Sequence, residues 1–259
     1  MQLAPNIALQ FSDLPFEDRI RRVADLGFRA VDLFGTDDLN LKAVGAVLRE
    51  RDVVVSMVVG SSLTLGLNDP SCHEAIERSV TKVAQEAEEI RALNVVVLGG
   101  IRLPRVAASR QNQAIVDGLE RLAPIAERYR ITIVLEMLNS THDHPGYYVD
   151  STELMIALVR AVKNPRVKAL YDIYHAGIMR GNVVEDIRAG IDAIGHFHVA
   201  GIPGRREPMR GEQNYPFICR TIDELGYTGF IGLEYAPSGA SAESVVETRN
   251  WIQGTSACQ

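Results

Sequence analysis

Four short apolar segments of the chain each end in a side chain that can bind a metal ion. The segments are ITIVLE, VKALYD, AIGHFH and FIGLE, and their last residues are Glu136, Asp172, His198 and Glu234. Apolar runs of this length, rich in Val, Ile and Leu, are typical of buried parallel strands. In α/β proteins the carboxyl ends of such strands carry the functional residues. The spacing therefore predicts one site built by consecutive strands.

The chemistry of this set of side chains favours a hard divalent cation. Three carboxylates and one imidazole suit one Mn²⁺ or Mg²⁺ ion best, and they also accept Co²⁺, Fe²⁺ or Zn²⁺. Each residue taken alone could instead cap a helix or pair with a lysine. Burying all four is costly unless they share a partner, and a divalent ion would neutralise them together. The sequence therefore predicts that these four residues are metal ligands.

Such a metal site predicts chemistry on hydroxy-carbonyl compounds. A cation that holds both oxygens of an α-hydroxy carbonyl makes the neighbouring C–H bond more acidic. Glu136 and Glu234, on opposing arcs of a closed barrel, could then pass a proton between two carbons through an enediolate. We therefore expect a metal-dependent isomerase that interconverts a small hydroxy-aldehyde and hydroxy-ketone, with a keto acid or keto sugar as substrate. The alternatives are a ketose 3-epimerase, elimination from a keto sugar, and a barrel that binds sugar without turnover.

Two further residues are candidates for binding the substrate. His175 follows Asp172 by three residues in YDIYH, where it could contact substrate oxygens or cap a helix. Arg205 and Arg206 lie in AGIPGRRE, after the seventh apolar segment. An arginine there could bind a carboxylate or a sugar hydroxyl, or remain a solvated loop charge. His175 and one of these two arginines are therefore candidates for binding the substrate.

The remaining histidines are weaker candidates. His196 lies two residues before His198 on the same segment, and we expect it to point out of the barrel toward the helices as a structural residue. His142 and His144 lie in NSTHDHPGYY, after the fifth segment, where they could line the entrance or lie on the surface.

Strand-like and helix-like segments alternate along the chain. Strands are predicted near residues 3–9, 29–34, 53–59, 94–99, 131–136, 167–172, 194–199 and 229–234, and helices over 15–27, 71–92, 109–129, 151–163, 184–193, 216–225 and 242–252. The 259 residues give about 32 per βα unit, close to the ~30 expected. No glycine-rich phosphate loop follows the first strand. We therefore predict an α/β fold, a single (β/α)8 TIM barrel, over residues 1–253, followed by a tail at 254–259.

Composition argues against several other functions. The net charge is −6 and no basic stripe is visible, so nucleic acid is not expected as a partner. The three cysteines are far apart, which argues against disulfides or a cysteine-rich zinc site and favours a reducing compartment. The first twenty residues do not have the pattern of a signal peptide, and we expect no membrane span, since no apolar run is long enough for one. We expect a cytoplasmic protein whose partner is a small molecule.

Several stretches resemble the hydroxypyruvate isomerase branch of the xylose isomerase-like barrel superfamily. They are LEMLNS, YDIYHAGIMRGN, GHFHVAGIPGRREP, NYPFI and GYTGFIGLEY. The resemblance implies metal ligands at Glu136, Asp172, His198 and Glu234, with the two glutamates as acid and base. It also implies substrate contacts from His175 and Arg205, a Mn²⁺, Mg²⁺ or Co²⁺ ion, and a homo-oligomer.

The chain departs from that branch at two places. Hydroxypyruvate isomerases often carry glutamine where this chain has His198, whereas the related sugar epimerases carry histidine. The Met-Gln pair that usually follows the substrate histidine is replaced by Ala176 and Gly177. The second change is expected to enlarge or loosen the pocket, and the two together make a larger keto sugar or keto acid a plausible substrate.

Overall fold

Eight parallel strands alternate with nine α-helices along the described part of the chain, residues 1–254, in a computed structural model of the protein. The strands are β1 (Gln2–Pro5), β2 (Ala30–Leu33), β3 (Val54–Val59), β4 (Ala92–Leu98), β5 (Thr132–Glu136), β6 (Val167–Asp172), β7 (Ile194–Val199) and β8 (Phe230–Leu233). The helices are α1 (Phe16–Asp25), α2 (Leu41–Glu50), α3 (His73–Ile90), α4 (Ala108–Tyr129), α5 (Thr152–Val162), α6 (Ile173–Met179), α7 (Val183–Gly190), α8 (Tyr215–Glu224) and α9 (Ser241–Ile252).

The strands form one parallel sheet that curls into a nearly closed barrel. Their order is β1-β8-β7-β6-β5-β4-β3-β2, so each strand lies beside its neighbours in the chain and β1 also pairs with β8. A bridge between Asn6 and Asp32 links the chain just after β1 to β2. The predicted (β/α)8 TIM barrel is therefore confirmed. Of the predicted tail at 254–259, residues 255–259, which include Cys258, lie outside the described residues.

The strands are buried because helices cover the outer face of the sheet. The six residues of β3, VVSMVV, are all buried or half-buried, as is typical of a parallel strand covered on both sides. On α3 the residues Ile76, Val80 and Val83 recur at helical spacing and pack against the sheet. The barrel is thus a rigid frame that fixes the height of every strand end.

The largest differences from the sequence prediction are two additional helices and the end of the first strand. The first strand ends at Pro5 rather than residue 9, because the Asn6 side chain accepts a hydrogen bond from the backbone of Ala8 and starts a turn. Helix α2, which begins after an Asn40 cap, and the two-turn helix α6 are both absent from the prediction. Within residues 1–254, none of the helices is long and apolar enough to cross a membrane.

Candidate active site at the carboxyl end of the barrel

The four predicted ligand residues meet at the carboxyl end of the strands. Glu136 and Asp172 are the last residues of β5 and β6, His198 pairs with Asp172 in register, and Glu234 directly follows β8. Each contributes one ligand atom to a group in which these atoms lie within 4.8 Å of one another. All four residues are buried, with 1 to 8% of their surface exposed. The sequence therefore predicted correctly which side chains converge.

His198 lies at the centre of this group. Its Nδ1 is 3.3 Å from Glu234 Oε2 and 3.7 Å from Glu136 Oε1. Both ring nitrogens are buried and neither has a hydrogen-bond partner. Buried polar atoms without partners are costly, and an imidazole facing carboxylates at these distances fits a shared divalent cation.

Asp172 has two roles, one on each carboxylate oxygen. Oδ1 caps α6 by accepting hydrogen bonds from the backbone amides of Tyr174 (2.8 Å) and His175 (3.3 Å). Oδ2 faces the site, 3.5 Å from His175 Nε2 and 3.7 Å from Arg205 Nη2. The cap fixes the orientation of the carboxylate, so helix capping and site building are combined in one side chain.

The two glutamates occupy different electrostatic surroundings. Burial raises the pKa of Glu136, and the negative charge of Glu234 raises it further. Burial also acts to raise the pKa of Glu234, but His198 and Arg205 outweigh it and hold that pKa well below the usual range. Burial and the charge of Glu234 raise the pKa of Asp172 to about 6. Paired carboxyl groups with separated proton affinities are suited to acid–base chemistry.

His175 is held by a loop residue that sequence reasoning missed. Asn139 Oδ1 accepts hydrogen bonds from the backbone amides of His142 (3.1 Å) and Asp143 (2.8 Å), which fixes the orientation of the amide. Asn139 Nδ2 therefore donates to His175 Nδ1 at 2.7 Å. The proton of the neutral ring is then on Nε2, which is buried without a partner beside Asp172. Burial and the charge of Arg205 lower the pKa of His175 to about 3, so the ring is neutral.

Of the two loop arginines, only one turns into the site. Arg205 Nη2 donates a short hydrogen bond to Glu234 Oε2, and its guanidinium lies over the ring of Tyr174 at 5.3 Å. Arg206 is exposed and reaches the carbonyl of Ala236. Arg205 therefore remains the candidate for substrate binding.

The loop that carries Arg205 is anchored by a buried carboxylate. Glu207 accepts hydrogen bonds from the backbone amide and the hydroxyl of Ser238, both at 2.7 Å, and from the hydroxyl of Ser244 at 3.0 Å. These contacts tie the loop after β7 to the loop after β8. The position of the Arg205 guanidinium thus depends on two strands rather than one.

The expectation that His196 points toward the helices is wrong. Side chains two residues apart on a strand share a face, so His196 and His198 both enter the barrel. Their rings pack edge to face with centroids 5.0 Å apart. His196 Nε2 lies 3.4 Å from Asp32 Oδ2, and His198 Nε2 lies 3.5 Å from the same oxygen. Asp32 is a buried carboxylate in the apolar strand β2 that sequence reasoning missed.

The remaining sequence candidates lie near the rim or fill space. His144 is half-buried, with its ring 5.4 Å from that of His175, whereas His142 is exposed. The side chain of Gln213 fills the space beside Gly177 and donates to the carbonyl of Ile173 at 3.3 Å. Gln213 therefore occupies the space that a side chain at position 177 would take.

Residues 20–254 match the sequence profile of the xylose isomerase-like TIM barrel family. The chain belongs to this family. Among its relatives, the 2-oxo-tetronate isomerase of Pectobacterium atrosepticum is 29% identical over 97% of this chain and 98% of the relative. The hydroxypyruvate isomerase of Escherichia coli strain K12 is 26% identical over 92% of this chain and 94% of the relative. The resemblance inferred from the sequence motifs is therefore confirmed.

Several solved structures match over almost the whole chain. The AP endonuclease, family 2, of Brucella melitensis is 25% identical with a TM-score of 0.86, covering 95% of this chain and 97% of that one. The 3-keto-D-glucoside 4-epimerase of E. coli is 18% identical with a TM-score of 0.82, covering 97% and 98%. The IolI protein, whose structure contains a zinc atom, is 17% identical with a TM-score of 0.82, covering 98% and 97%. At 18% and 17% identity, the last two matches show a common fold and nothing more specific.

Proposed function

We propose that the protein is a metal-dependent isomerase of small hydroxy-carbonyl compounds. The observation that carries this proposal is the placement of Glu136 and Glu234, whose carboxylates both face Nδ1 of the buried His198, at 3.7 Å and 3.3 Å, at the carboxyl end of the barrel. Relatives of full length that are named hydroxypyruvate isomerase and 2-oxo-tetronate isomerase support it. The substrate class that follows is a short 2-keto acid with a neighbouring hydroxyl group.

A divalent ion would be held by Glu136, Asp172, His198 and Glu234. The number and the chemical type of their donor atoms suit such an ion. When bound, it would act as a Lewis acid toward the substrate oxygens. The mostly oxygen donor set favours Mn²⁺ or Mg²⁺, and the zinc atom in the related IolI structure makes Zn²⁺ the first alternative to test.

The side chains of this protein would move one proton between adjacent carbons. One glutamate removes the proton from the carbon that bears the hydroxyl group, and a proton is returned to the former carbonyl carbon. The hydroxyl proton moves between the two oxygens, so the product has the carbonyl group on the neighbouring carbon and the same atoms as the substrate. The Nε2–H of His175 would donate to a substrate oxygen, and Arg205 would bind a carboxylate or hydroxyl group of the substrate.

The nearest alternative is a ketose 3-epimerase. His198 favours this reading, because the sugar epimerases of the superfamily carry histidine at that position. In an epimerase the two glutamates act on opposite faces of one carbon, so the carbonyl group does not move. The two reactions therefore differ in the position of the carbonyl group, while both exchange a carbon-bound hydrogen.

The test is deuterium uptake from D₂O into a panel of keto acids and keto sugars, followed by NMR of the products. Migration of the carbonyl supports the isomerase, and exchange with inversion at one carbon supports the epimerase. Glu136→Gln and Glu234→Gln should each lower exchange by at least about 10³-fold, since they remove a proton-transfer group and a ligand. Glu86→Gln is the control, because this half-buried glutamate lies on the outer helix α3 and bonds to Thr36.

Near-normal exchange in either active-site variant would refute the paired-glutamate mechanism. Absence of exchange with every substrate, despite metal bound to the wild-type protein, would favour elimination or simple binding.

We also propose that the protein works on small molecules in the cytoplasm as a homo-oligomer, without a nucleic-acid or membrane partner. The superfamily resemblance supports assembly, and the net charge of −6 supports the absence of nucleic acid. Light scattering coupled to gel filtration would measure the subunit number.

A further inference from the structure

The proposed metal site shares His198 with a second buried cluster, whose other two residues have no part in the proposed reaction. It consists of Asp32 on β2 with His196 and His198 on β7. In the sheet β2 and β7 are separated by β1 and β8, so these side chains meet across the barrel interior. Asp32 and His196 are fully buried and His198 is 1% exposed. An ionised carboxylate at such a depth requires partners that stabilise its charge.

The two carboxylate oxygens of Asp32 contact different partners. The hydroxyl of Ser56 donates a short hydrogen bond to Oδ1. Oδ2 faces the two imidazoles, 3.4 Å from His196 Nε2 and 3.5 Å from His198 Nε2. One carboxylate oxygen of Asp32 therefore faces a nitrogen of each ring.

The packing leaves the His198 ring little freedom to turn. A Cβ atom at Gly232, the β8 residue beside His198, would overlap Asp32 Oδ2 and lie 2.6 Å from His198 Cδ2. Because glycine has no Cβ, residue 232 leaves room for the Asp32 carboxylate to contact the His198 ring. The same ring therefore has Nε2 toward Asp32 and Nδ1 toward Glu136 and Glu234.

We propose that Asp32 is a positioning residue that accepts the Nε2 proton of His198 and thereby presents the lone pair of Nδ1 to a cation held with Glu136, Asp172 and Glu234. This inference rests on the proposed metal site. A neutral imidazole has one proton, so an anionic acceptor at one nitrogen determines which nitrogen is left as a ligand. A carboxylate in this position also makes the ligand nitrogen more basic. His196, which shares Oδ2, helps to hold the carboxylate in place.

The test measures metal affinity by calorimetry with Mn²⁺ or Zn²⁺ on the purified full chain, independently of activity. Asp32→Asn keeps the size and one acceptor but removes the charge, and should weaken binding about 10-fold; Asp32→Ala removes both and should weaken it up to about 100-fold. Glu86→Gln on the outer helix α3 is the control, because this side chain bonds to Thr36 away from the cluster, and it should change affinity by less than about twofold. Thermal unfolding without metal identifies any variant that does not fold.

Nitrogen NMR of ¹⁵N-histidine in the Zn²⁺-loaded protein gives a second readout. In the wild type, Nε2 of His198 should carry a proton that exchanges slowly with water and Nδ1 should have the shift of a metal-bound nitrogen. In Asp32→Asn the Nε2 proton should exchange faster.

The outcomes separate this inference from the proposed function. If the wild type binds no divalent ion, the metal site itself is wrong. If the wild type binds metal and folded Asp32→Asn and Asp32→Ala bind it equally well, the metal site stands and the positioning role of Asp32 is refuted. Metal bound to Nε2 rather than Nδ1 of His198 would refute it as well.

Discussion

The structure assigns His175 the role of a neutral hydrogen-bond donor rather than a base. Asn139 Nδ2 donates to His175 Nδ1 at 2.7 Å, so the ring presents Nε2–H to the site. Glutamine and asparagine can test this assignment, because the side-chain amide nitrogen of Gln reaches the place of Nε2, whereas that of Asn reaches only the place of Nδ1. His175→Gln should therefore keep a donor toward the substrate, and His175→Asn should lose it.

The size of the effects follows from the bonds that each variant breaks. His175→Asn removes one donor to a substrate oxygen in a buried site, which costs about 1–3 kcal/mol, or roughly 5- to 150-fold in kcat/KM. His175→Gln loses only the contact with Asn139, about 0.5–1.5 kcal/mol, or roughly 2- to 13-fold. Asn139→Ala removes the same contact from the other side together with the two hydrogen bonds that Oδ1 accepts from the loop, so its loss of kcat/KM should be at least as large as that of His175→Gln.

The assay is the rate of deuterium uptake, with kcat and KM measured separately for each variant. Nitrogen NMR of the wild type should show Nδ1 of His175 without a proton at neutral pH. The reasoning is refuted if His175→Gln and His175→Asn are equally inactive, with losses above about 10³-fold, since such losses indicate general acid–base catalysis rather than donation of a hydrogen bond. A proton on Nδ1 in the wild type would refute it independently.

Three further predictions concern the residues around the site. Burial acts to raise the pKa of Glu207, but the hydrogen bonds from Ser238 outweigh it, so the folded pKa lies below 4.5. The stabilisation is therefore present above pH 4.5 and is lost as the pH falls through the folded pKa. Glu207→Gln should lower Tm at pH 7 by about 3–12 °C, and this loss should shrink as the pH is lowered below 4.5. A loss of Tm that stays constant over the whole acid range in which the protein is folded would contradict this. Arg205→Lys should raise KM for a carboxylate substrate by about 10-fold with a smaller change in kcat, since lysine lacks the planar donor group; unchanged KM would exclude a binding role. Gly177→Ala should cost about 1–3 kcal/mol of unfolding free energy, because the added Cβ overlaps Gln213 and Ile202. Chemical denaturation of the double variant with Gln213→Ala should show part of this loss recovered, and full additivity of the two losses would contradict the overlap.

The fold and the four converging residues could be predicted because both depend on local pattern. Apolar runs of β-branched residues mark buried strands, and the barrel geometry places every strand end at one face. Glu136, Asp172, His198 and Glu234 all end or follow such runs, so their convergence is fixed once the eight strands are recognised. Helix α2 was missed although Asn40 is a recognisable cap, since the apolar stretch after it is short and interrupted by Gly45.

The supporting contacts could not be predicted from local pattern, because they join distant parts of the chain. Asp32 reaches His196 across 164 residues, and Asn139 reaches His175 across 36 residues. An acidic residue inside the apolar run AVDLF is the signal that identifies Asp32, since a buried charge needs a partner. The error at His196 had a different cause: the two-residue period of a strand, applied correctly, places it on the same face as His198.

The residues of the site share a design in which one atom supports the fold and another faces the centre. Asp172 caps α6 with Oδ1 and presents Oδ2, and His175 accepts from Asn139 at Nδ1 and presents Nε2. His198 repeats the arrangement, with Nε2 toward Asp32 and Nδ1 toward the glutamates. For such residues, capping or packing is not an alternative to a functional role, because the structural contact is what directs the second atom inward. A change that keeps the structural contact and alters the inward atom is therefore the only kind that separates chemistry from folding in this site.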